Sequence, residues 1–201
     1  MRSIEVSFHM KLRDCTTIGI GGAADRVMFP RSPADVRKIL AEERRSGRPV
    51  YTIGAGSNLL VAEAGVAGTV LCTKKHLAKV VFLAGHSVIA EAGVMLPRLA
   101  VLCALSGLSG IEALSGIPGT VGGALAMNAG SYGRQIGDLA DWVEIADAEG
   151  KIHRVEARDI RFGYREAEFP VRGVVVRAGF RFTEGSREAV FEQMRRWNEK
   201  R

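Results

Sequence analysis

Apolar positions change period several times along the chain, and each change predicts an element. Arg26 to Pro30 reads as a strand, and Ser32-Pro33-Ala34-Asp35 then reads as a helix start: a serine cap, a proline at the first helical position and an early acid. Val36, Ile39 and Leu40 recur at helical spacing, and Gly47 ends the element. Val50 to Ile53 is a β-rich run that feeds directly into Gly54-Ala55-Gly56-Ser57-Asn58. Further strands are predicted at Thr69 to Cys72, Val80 to Leu83 and Val88 to Glu91. Leu96 to Leu105 predicts a helix, with Pro97 near its start and Gly107 just past its end. Trp142 to Ala146 and Lys151 to Val155 predict a β-hairpin around Ala148-Glu149-Gly150, and Val174 to Phe182 predicts one more strand. Glu188 to Lys200 predicts a last helix whose Val190, Phe191, Met194 and Trp197 share one face. That face needs its own core or a partner to pack against.

Composition narrows the class. At 201 residues, 47% hydrophobic and 25% charged, the chain can bury one large core or two small ones. Its longest apolar run, Leu99 to Leu105, is too short to cross a bilayer, and Met1-Arg2-Ser3-Ile4-Glu5-Val6 lacks the apolar stretch of a signal peptide. A cytoplasmic protein is expected, with no membrane partner. Cys15, Cys72 and Cys103 are odd in number and widely spaced, which fits neither a disulfide framework nor a zinc site. They read as structural thiols, and His9, His76, His86 and His153 as surface imidazoles; no metal site is expected. The net charge of +6 favours anionic partners, but much of the excess sits at Arg195-Arg196 and Lys200-Arg201, and no basic stripe is interleaved with aromatics. A phosphorylated small molecule accounts for the charge as well as nucleic acid would, and nucleic acid is not expected.

Candidate chemistry lies in three glycine-rich segments: Thr16-Thr17-Ile18-Gly19-Ile20-Gly21-Gly22-Ala23, Gly54 to Val61, and Gly110 to Gly133. Successive amides in such loops form anion-binding nests, and missing Cβ atoms let backbone approach a ligand. A diphosphate is therefore expected across Gly54, Ala55, Gly56, Ser57 and Asn58, where the alternative is a plain strand-to-helix turn. The Rossmann fingerprint is excluded because Leu59 stands where its third glycine belongs, and no Gly-Lys-Ser/Thr triplet exists for a P-loop. In the third segment, Pro118-Gly119-Thr120 predicts a short helix whose N-terminus suits an anion, and the density of glycines predicts close approach to a flat cofactor.

The order of these motifs resembles one family. Thr-Thr-x-x-x-Gly-Gly, Gly-x-Gly-Ser-Asn-Leu-Leu-Val, Gly-Ile-Pro-Gly-Thr-Val-Gly-Gly-Ala, Met127-Asn128-Ala129-Gly130-Ser131-Tyr132-Gly133 and Phe162-Gly163-Tyr164-Arg165 together look like UDP-N-acetylenolpyruvoylglucosamine reductases. The resemblance implies an α+β fold, the two-subdomain FAD-binding fold of the vanillyl-alcohol-oxidase/p-cresol-methylhydroxylase type. Its subdomains are expected at 1–84 and 85–184, with 185–201 a helix leading to a third domain. It implies FAD as cofactor and NADPH as electron donor for reduction of an enolpyruvyl UDP-sugar to UDP-N-acetylmuramate in cell-wall synthesis. The expected cofactor residues are Gly54, Ala55, Gly56, Ser57, Asn58, Leu59, Gly116, Ile117, Pro118, Gly119, Thr120, Gly122, Gly123 and Ala124. Arg165 is expected to clamp the substrate carboxylate, with Tyr164 and Asn128 on the substrate side.

The chain also departs from the pattern. The family's proton-donor serine and second stabilising glutamate come from a third domain, so the 201 residues are expected to form the FAD-binding portion and to be incomplete as a catalyst. Ala167 stands where a serine is usual and Gln135 where a glutamate is usual. The alternative is a non-catalytic FAD- or nucleotide-binding module or scaffold descended from that reductase.

Overall fold

A computed structural model describes residues 3–201, so Met1 and Arg2 of the N-terminal segment lie outside the described residues. The first half holds β1 (Glu5–Lys11), β2 (Ala23–Phe29), α1 (Pro33–Arg45), β3 (Val50–Ile53) and β4 (Val66–Cys72). Their sheet runs in the order β1-β2-β4-β3, with β2, β4 and β3 parallel and β1 added antiparallel at the edge. The inner strands are covered on both faces, which is why Val70, Leu71 and Cys72 form an unbroken apolar run. Leu71 and Met28 face α1, whereas Val70, Val27 and Phe29 face Leu12 in the preceding turn.

Helix α1 forms where the sequence places its signals. The Ser32 hydroxyl accepts from the Asp35 amide at 3.2 Å, a cap worth about 1 kcal/mol, and Pro33 opens the first turn. Val36, Ile39 and Leu40 then pack between the two sheets, against Met28 and Leu71 on one side and Ala146, Val174 and Val176 on the other. Glu43, on the same helix, is buried. One of its carboxylate oxygens accepts from Arg26 (2.5 Å), Arg48 (2.7 Å) and Thr69 (2.9 Å). Burial alone would raise its pKa, but the hydrogen bonds from Arg48 and Thr69 and the charge of Arg26 outweigh it and hold the carboxyl below its usual range.

The second half holds β5 (Val80–Leu83), β6 (Ser87–Glu91), α2 (Leu96–Leu105), β7 (Leu108–Ser109), α3 (Val121–Ala126), β8 (Gly130–Ser131) and β9 (Arg134–Gln135). It continues through β10 (Ala140–Ala146), β11 (Ile152–Glu156), β12 (Arg161–Gly163), β13 (Glu166–Glu168), β14 (Val174–Arg181), β15 (Thr183–Glu184) and α4 (Arg187–Glu199). An antiparallel sheet, β11-β10-β14-β6-β5, carries α2 and α3 on one face. The architecture is thus α+β with two sheets. Because β5 pairs with β6, a division by sheet falls within 73–79, earlier than the expected boundary at residue 84.

The apolar face of α4 is covered by the chain's own core: Val190 and Met194 are buried, and Trp197 stacks on Tyr132 with ring centroids 4.5 Å apart. Part of the basic tail is neutralised locally. Arg195 and Arg196 pair with Glu192 at 2.9 and 3.0 Å, and Arg201 donates to the Ser131 hydroxyl at 2.8 Å. Among the described residues no helix is long and apolar enough to cross a membrane, and no cluster of three metal-ligating side chains occurs.

Candidate functional site

A cleft of about 760 Å³ opens between the loop that leaves β3 and the segment around α3, within the size range of small-molecule sites. One wall is Thr52 and residues 54–59, which leave β3 directly. The other is residues 117–120, α3 and the hairpin that follows it, with Tyr164 and Arg165 at the rim. The lining includes Arg134 and Arg165 and no acidic residue, so the cleft favours anions.

The 54–59 loop is held by its carbonyl side. Thr17 donates its amide to Gly56 O at 3.1 Å and its hydroxyl to Ala55 O at 3.3 Å. Gly56 has φ +65°, and a methyl group there would overlap the Cys15 carbonyl oxygen, so the loop lies flat on the segment beneath it. Among the described residues, none of the amides from Gly54 to Leu59 donates to a protein acceptor. A row of unspent backbone donors is what a diphosphate requires.

The second glycine segment is built differently. Thr120 caps α3, accepting from the Gly123 amide at 3.4 Å. The Val121 and Gly122 amides donate to Val94 O and Ala92 O, both at 2.8 Å, and the Ala124 amide to Thr120 O at 2.8 Å. The first three helical amides, Val121 to Gly123, are thus already satisfied by protein carbonyls and by the helix's own cap. Its contribution is space. Nothing but the Ser57 hydroxyl at 3.8 Å lies near a Cβ built on Gly119, and only the Thr120 hydroxyl at 3.5 Å near one on Gly123. Packing does not demand glycine at either position, and both border the cleft.

The structure brings together Gly54, Ala55, Gly56, Ser57, Asn58, Leu59, Ile117, Pro118, Gly119, Thr120, Gly123, Ala124, Asn128, Tyr164 and Arg165 around this cleft. Two expected cofactor residues lie elsewhere. Gly116 sits under the side chains of Asn198 and Arg201, and Gly122 is packed against Ala92. Gly54 lets the loop close on the Thr120 hydroxyl, which a methyl group would overlap.

Asn128 lines the cleft, but its side chain is buried and committed. Its amide nitrogen donates to Gly163 O at 2.9 Å and to the Gln135 side chain, and its oxygen accepts from the Gly137 amide at 3.2 Å. It fastens the β8–β9 hairpin to β12, a positioning role in place of the expected substrate contact. Gln135 supplies the acceptor a glutamate would supply.

Tyr164 and Arg165 form the two-residue turn of the β12–β13 hairpin. Arg165 holds φ +58°, and Tyr164 is 90% exposed. Arg165 reaches across the cleft to Asn58 Oδ1 at 3.5 Å, and Asn58 Nδ2 contacts Met127 Sδ at 3.7 Å. Among the described residues, three of the five non-glycine residues at positive φ, Asn128, Tyr132 and Arg165, border this one cleft, the kind of clustering seen at functional sites. Sequence reasoning missed Thr52, Arg134 and the clamping role of Thr17; Arg134 followed the quoted Ser-Tyr-Gly, and its charge was the available signal.

Apart from Gly116 and Gly122, the residues expected to hold FAD line this cleft, which combines free amides, bare glycine surfaces and positive charge. Comparisons with known proteins bear on the family. A family model described as an FAD binding domain matches residues 24–156. The UDP-N-acetylenolpyruvoylglucosamine reductase of Moorella thermoacetica is 39% identical over 161 residues, 80% of this chain and 53% of that protein. The chain spans about half the length of the first curated relatives it matches, 53% and 55%. Among solved structures, the UDP-N-acetylenolpyruvylglucosamine reductase of Thermus caldophilus superimposes with a TM-score of 0.78 at 31% identity, over 99% of this chain and 69% of that one. An alkyldihydroxyacetonephosphate synthase matches with a TM-score of 0.63 at 19% identity, over 89% of this chain and 36% of that one, a likeness of fold alone. The fold is the two-subdomain FAD-binding fold of the vanillyl-alcohol-oxidase/p-cresol-methylhydroxylase type.

Proposed function

Because the chain belongs to the UDP-N-acetylenolpyruvoylglucosamine reductase family, we propose that its cleft holds FAD, with the diphosphate on the amides of Gly54 to Leu59 and the flat ring system over Gly119 and Gly123. The observation that carries this reading is the unspent row of amides on one wall of the cleft, together with two glycines on the other wall that packing does not require. When bound, FAD would supply hydride transfer from NADPH to the enolpyruvyl double bond of a UDP-sugar, yielding UDP-N-acetylmuramate for peptidoglycan synthesis. NADPH and the UDP-sugar are both anionic, as the arginine-only charge of the cleft favours.

Arg165 is the residue we assign to the substrate. Hydride addition to an enol ether conjugated to a carboxylate builds negative charge on that carboxylate, and a guanidinium binds it bidentately. Its present polar contact, 3.5 Å from Asn58, leaves most of its donors available. The proton donor is not assigned to any serine of this chain, because the resemblance places that serine in a third domain. Residues 1–201 on their own are therefore expected to bind FAD, to oxidise NADPH slowly and to reduce little enolpyruvyl substrate. Titration of the purified chain with FAD, followed by flavin absorbance and fluorescence, tests this. Absence of binding after reconstitution would refute it, and efficient turnover of the enolpyruvyl substrate would refute the assignment of incomplete chemistry.

A second reading, a non-catalytic FAD module, draws on the exposure of Tyr164 and Arg165 at the tip of a small hairpin. Substitution of Arg165 separates the two readings, as set out below.

A further inference from the structure

The β8–β9 hairpin borders two cavities. Its tip, Tyr132 to Arg134, lines the cleft and also lines a second cavity of about 570 Å³, bounded by α4 and the turn Glu112–Leu114. The base of the hairpin is fixed through Asn128 to β12, and Trp197 of α4 stacks on Tyr132 at the tip. The turn is tight, with φ +51° at Tyr132 and +78° at Gly133, and it delivers Arg134 as the first residue of β9. A hairpin held at its base and its tip gives the second cavity a built wall.

The polar groups of this cavity differ in kind. Arg134 is exposed and, among the described residues, makes no ion pair and no side-chain hydrogen bond. A guanidinium without a counter-ion keeps its donors available for an anion. Glu112 is buried in the wall. Its two carboxylate oxygens accept from the Ser109 hydroxyl at 2.6 Å and the Gly110 amide at 2.8 Å, one bond each, so lone pairs remain. Gln193 of α4 carries a side-chain amide with no protein partner among the described residues, able both to donate and to accept. Arg134 disfavours a simple cation, and Glu112 disfavours a simple polyanion. A ligand that suits both carries phosphate at one end, and neutral hydroxyls with a polar ring at the other. That is the makeup of a nucleoside phosphate.

We propose that this second cavity takes the nucleoside phosphate end of a ligand whose reactive end enters the cleft, with Arg134 on the phosphate, Glu112 on the ribose hydroxyls and Gln193 on the base. The link to the cleft rests on the functional reading above. In that reading FAD fills the cleft and Arg165 receives a carboxylate at its rim, so the nucleotide portion of an incoming ligand needs a site beyond the cleft wall. Tyr132 to Arg134 is the wall segment that both cavities share. NADPH and the UDP-sugar each carry a nucleoside phosphate, so the recognition chemistry is common to the two. Arg134 is a positioning residue, since it holds the end of the ligand that does not react.

Isothermal titration calorimetry of the full chain with UDP, with 2′,5′-ADP and with pyrophosphate, each with and without saturating FAD, tests the inference. The expected result is that at least one nucleotide binds about tenfold or more tighter than pyrophosphate, with a Kd that FAD changes by no more than about twofold. Arg134→Ala should raise that Kd by about 10- to 100-fold, as loss of a charge-assisted hydrogen bond implies, and Arg134→Lys should recover part of the loss. Gln193→Ala should raise it by about three- to tenfold. Arg195→Ala, which removes a charge that lines neither cavity, should bind as the parent protein. Tighter binding of UDP assigns the subsite to the UDP-sugar, and tighter binding of 2′,5′-ADP assigns it to NADPH. Absence of nucleotide binding, pyrophosphate binding as tight as the nucleotides', or affinity indifferent to Arg134→Ala overturns the subsite. Displacement of the nucleotide by FAD places it in the cleft and overturns the subsite as well. If FAD does not bind while an Arg134-dependent nucleotide affinity remains, the functional reading fails and the subsite stands.

Discussion

The 54–59 loop and the 116–124 segment are alike as strings and opposite as structures. Both are glycine-rich, both follow regular elements and both border one cleft. In the first, glycine lets the chain settle on Cys15, and the amides remain free. In the second, the amides of Val121, Gly122 and Gly123 are consumed by Val94, Ala92 and Thr120, and the glycines supply clearance. One segment offers donors and the other offers room. A ligand carrying both a diphosphate and a flat ring needs one of each, so the difference is itself part of the fit.

Substitutions can break or sharpen that contrast. Gly56→Ala carries the largest expected effect, because a left-handed conformation costs an L-residue about 1–2 kcal/mol and the methyl group also meets the Cys15 carbonyl. FAD Kd should rise by about 100-fold or more in a fluorescence titration, with measurable loss of thermal stability. Gly123→Ala is the sharper test. Within a helix it should stabilise the fold by up to about 1 kcal/mol, yet by filling the cleft wall it should weaken FAD about tenfold. A variant both stabler and equally avid would show that the room at Gly123 is not used.

Thr120→Ala removes a helix cap and should cost about 1 kcal/mol, seen as a melting point lowered by about 2–4 °C. Its effect on FAD affinity should stay within about threefold, because the amides at that end serve protein carbonyls. Arg165→Ala, outside both segments, should leave FAD affinity within about twofold while weakening the UDP-sugar by about 10- to 100-fold, as loss of a charge-assisted hydrogen bond implies. Arg165→Lys should restore little, since an ammonium cannot make the paired contact. An unchanged UDP-sugar affinity in Arg165→Ala would favour the non-catalytic reading.

Local signals carried much of the fold. Ser32-Pro33, the run Val50–Ile53, the strand Val80–Leu83 and the helix Leu96–Leu105 sit where periodicity and caps put them. Strand β1 did not announce itself, because Glu5–Lys11 is an edge strand whose polar residues and exposed Phe8 give no core-facing pattern strong enough to stand out. The cleft was legible as a set of motifs, but the accounting of its amides was not. Val121 and Gly122 are satisfied by carbonyls at Val94 and Ala92, partners that only the fold brings near. Gly116 and Gly122 belonged to the right motif and serve packing, a distinction that depends on Asn198, Arg201 and Ala92.

The stack of Trp197 on Tyr132 also equips the protein with an optical gauge. Tyr132 is part of the cleft wall and Trp197 lies directly behind it, whereas Trp142, the second indole, is buried in the sheet between Gly179 and the Arg154 guanidinium. A yellow chromophore in the cleft would quench the emission of Trp197, one ring removed from the cleft wall. Occupancy could then be followed from the protein's own light, and a Trp197→Phe variant would report the same event with a smaller change.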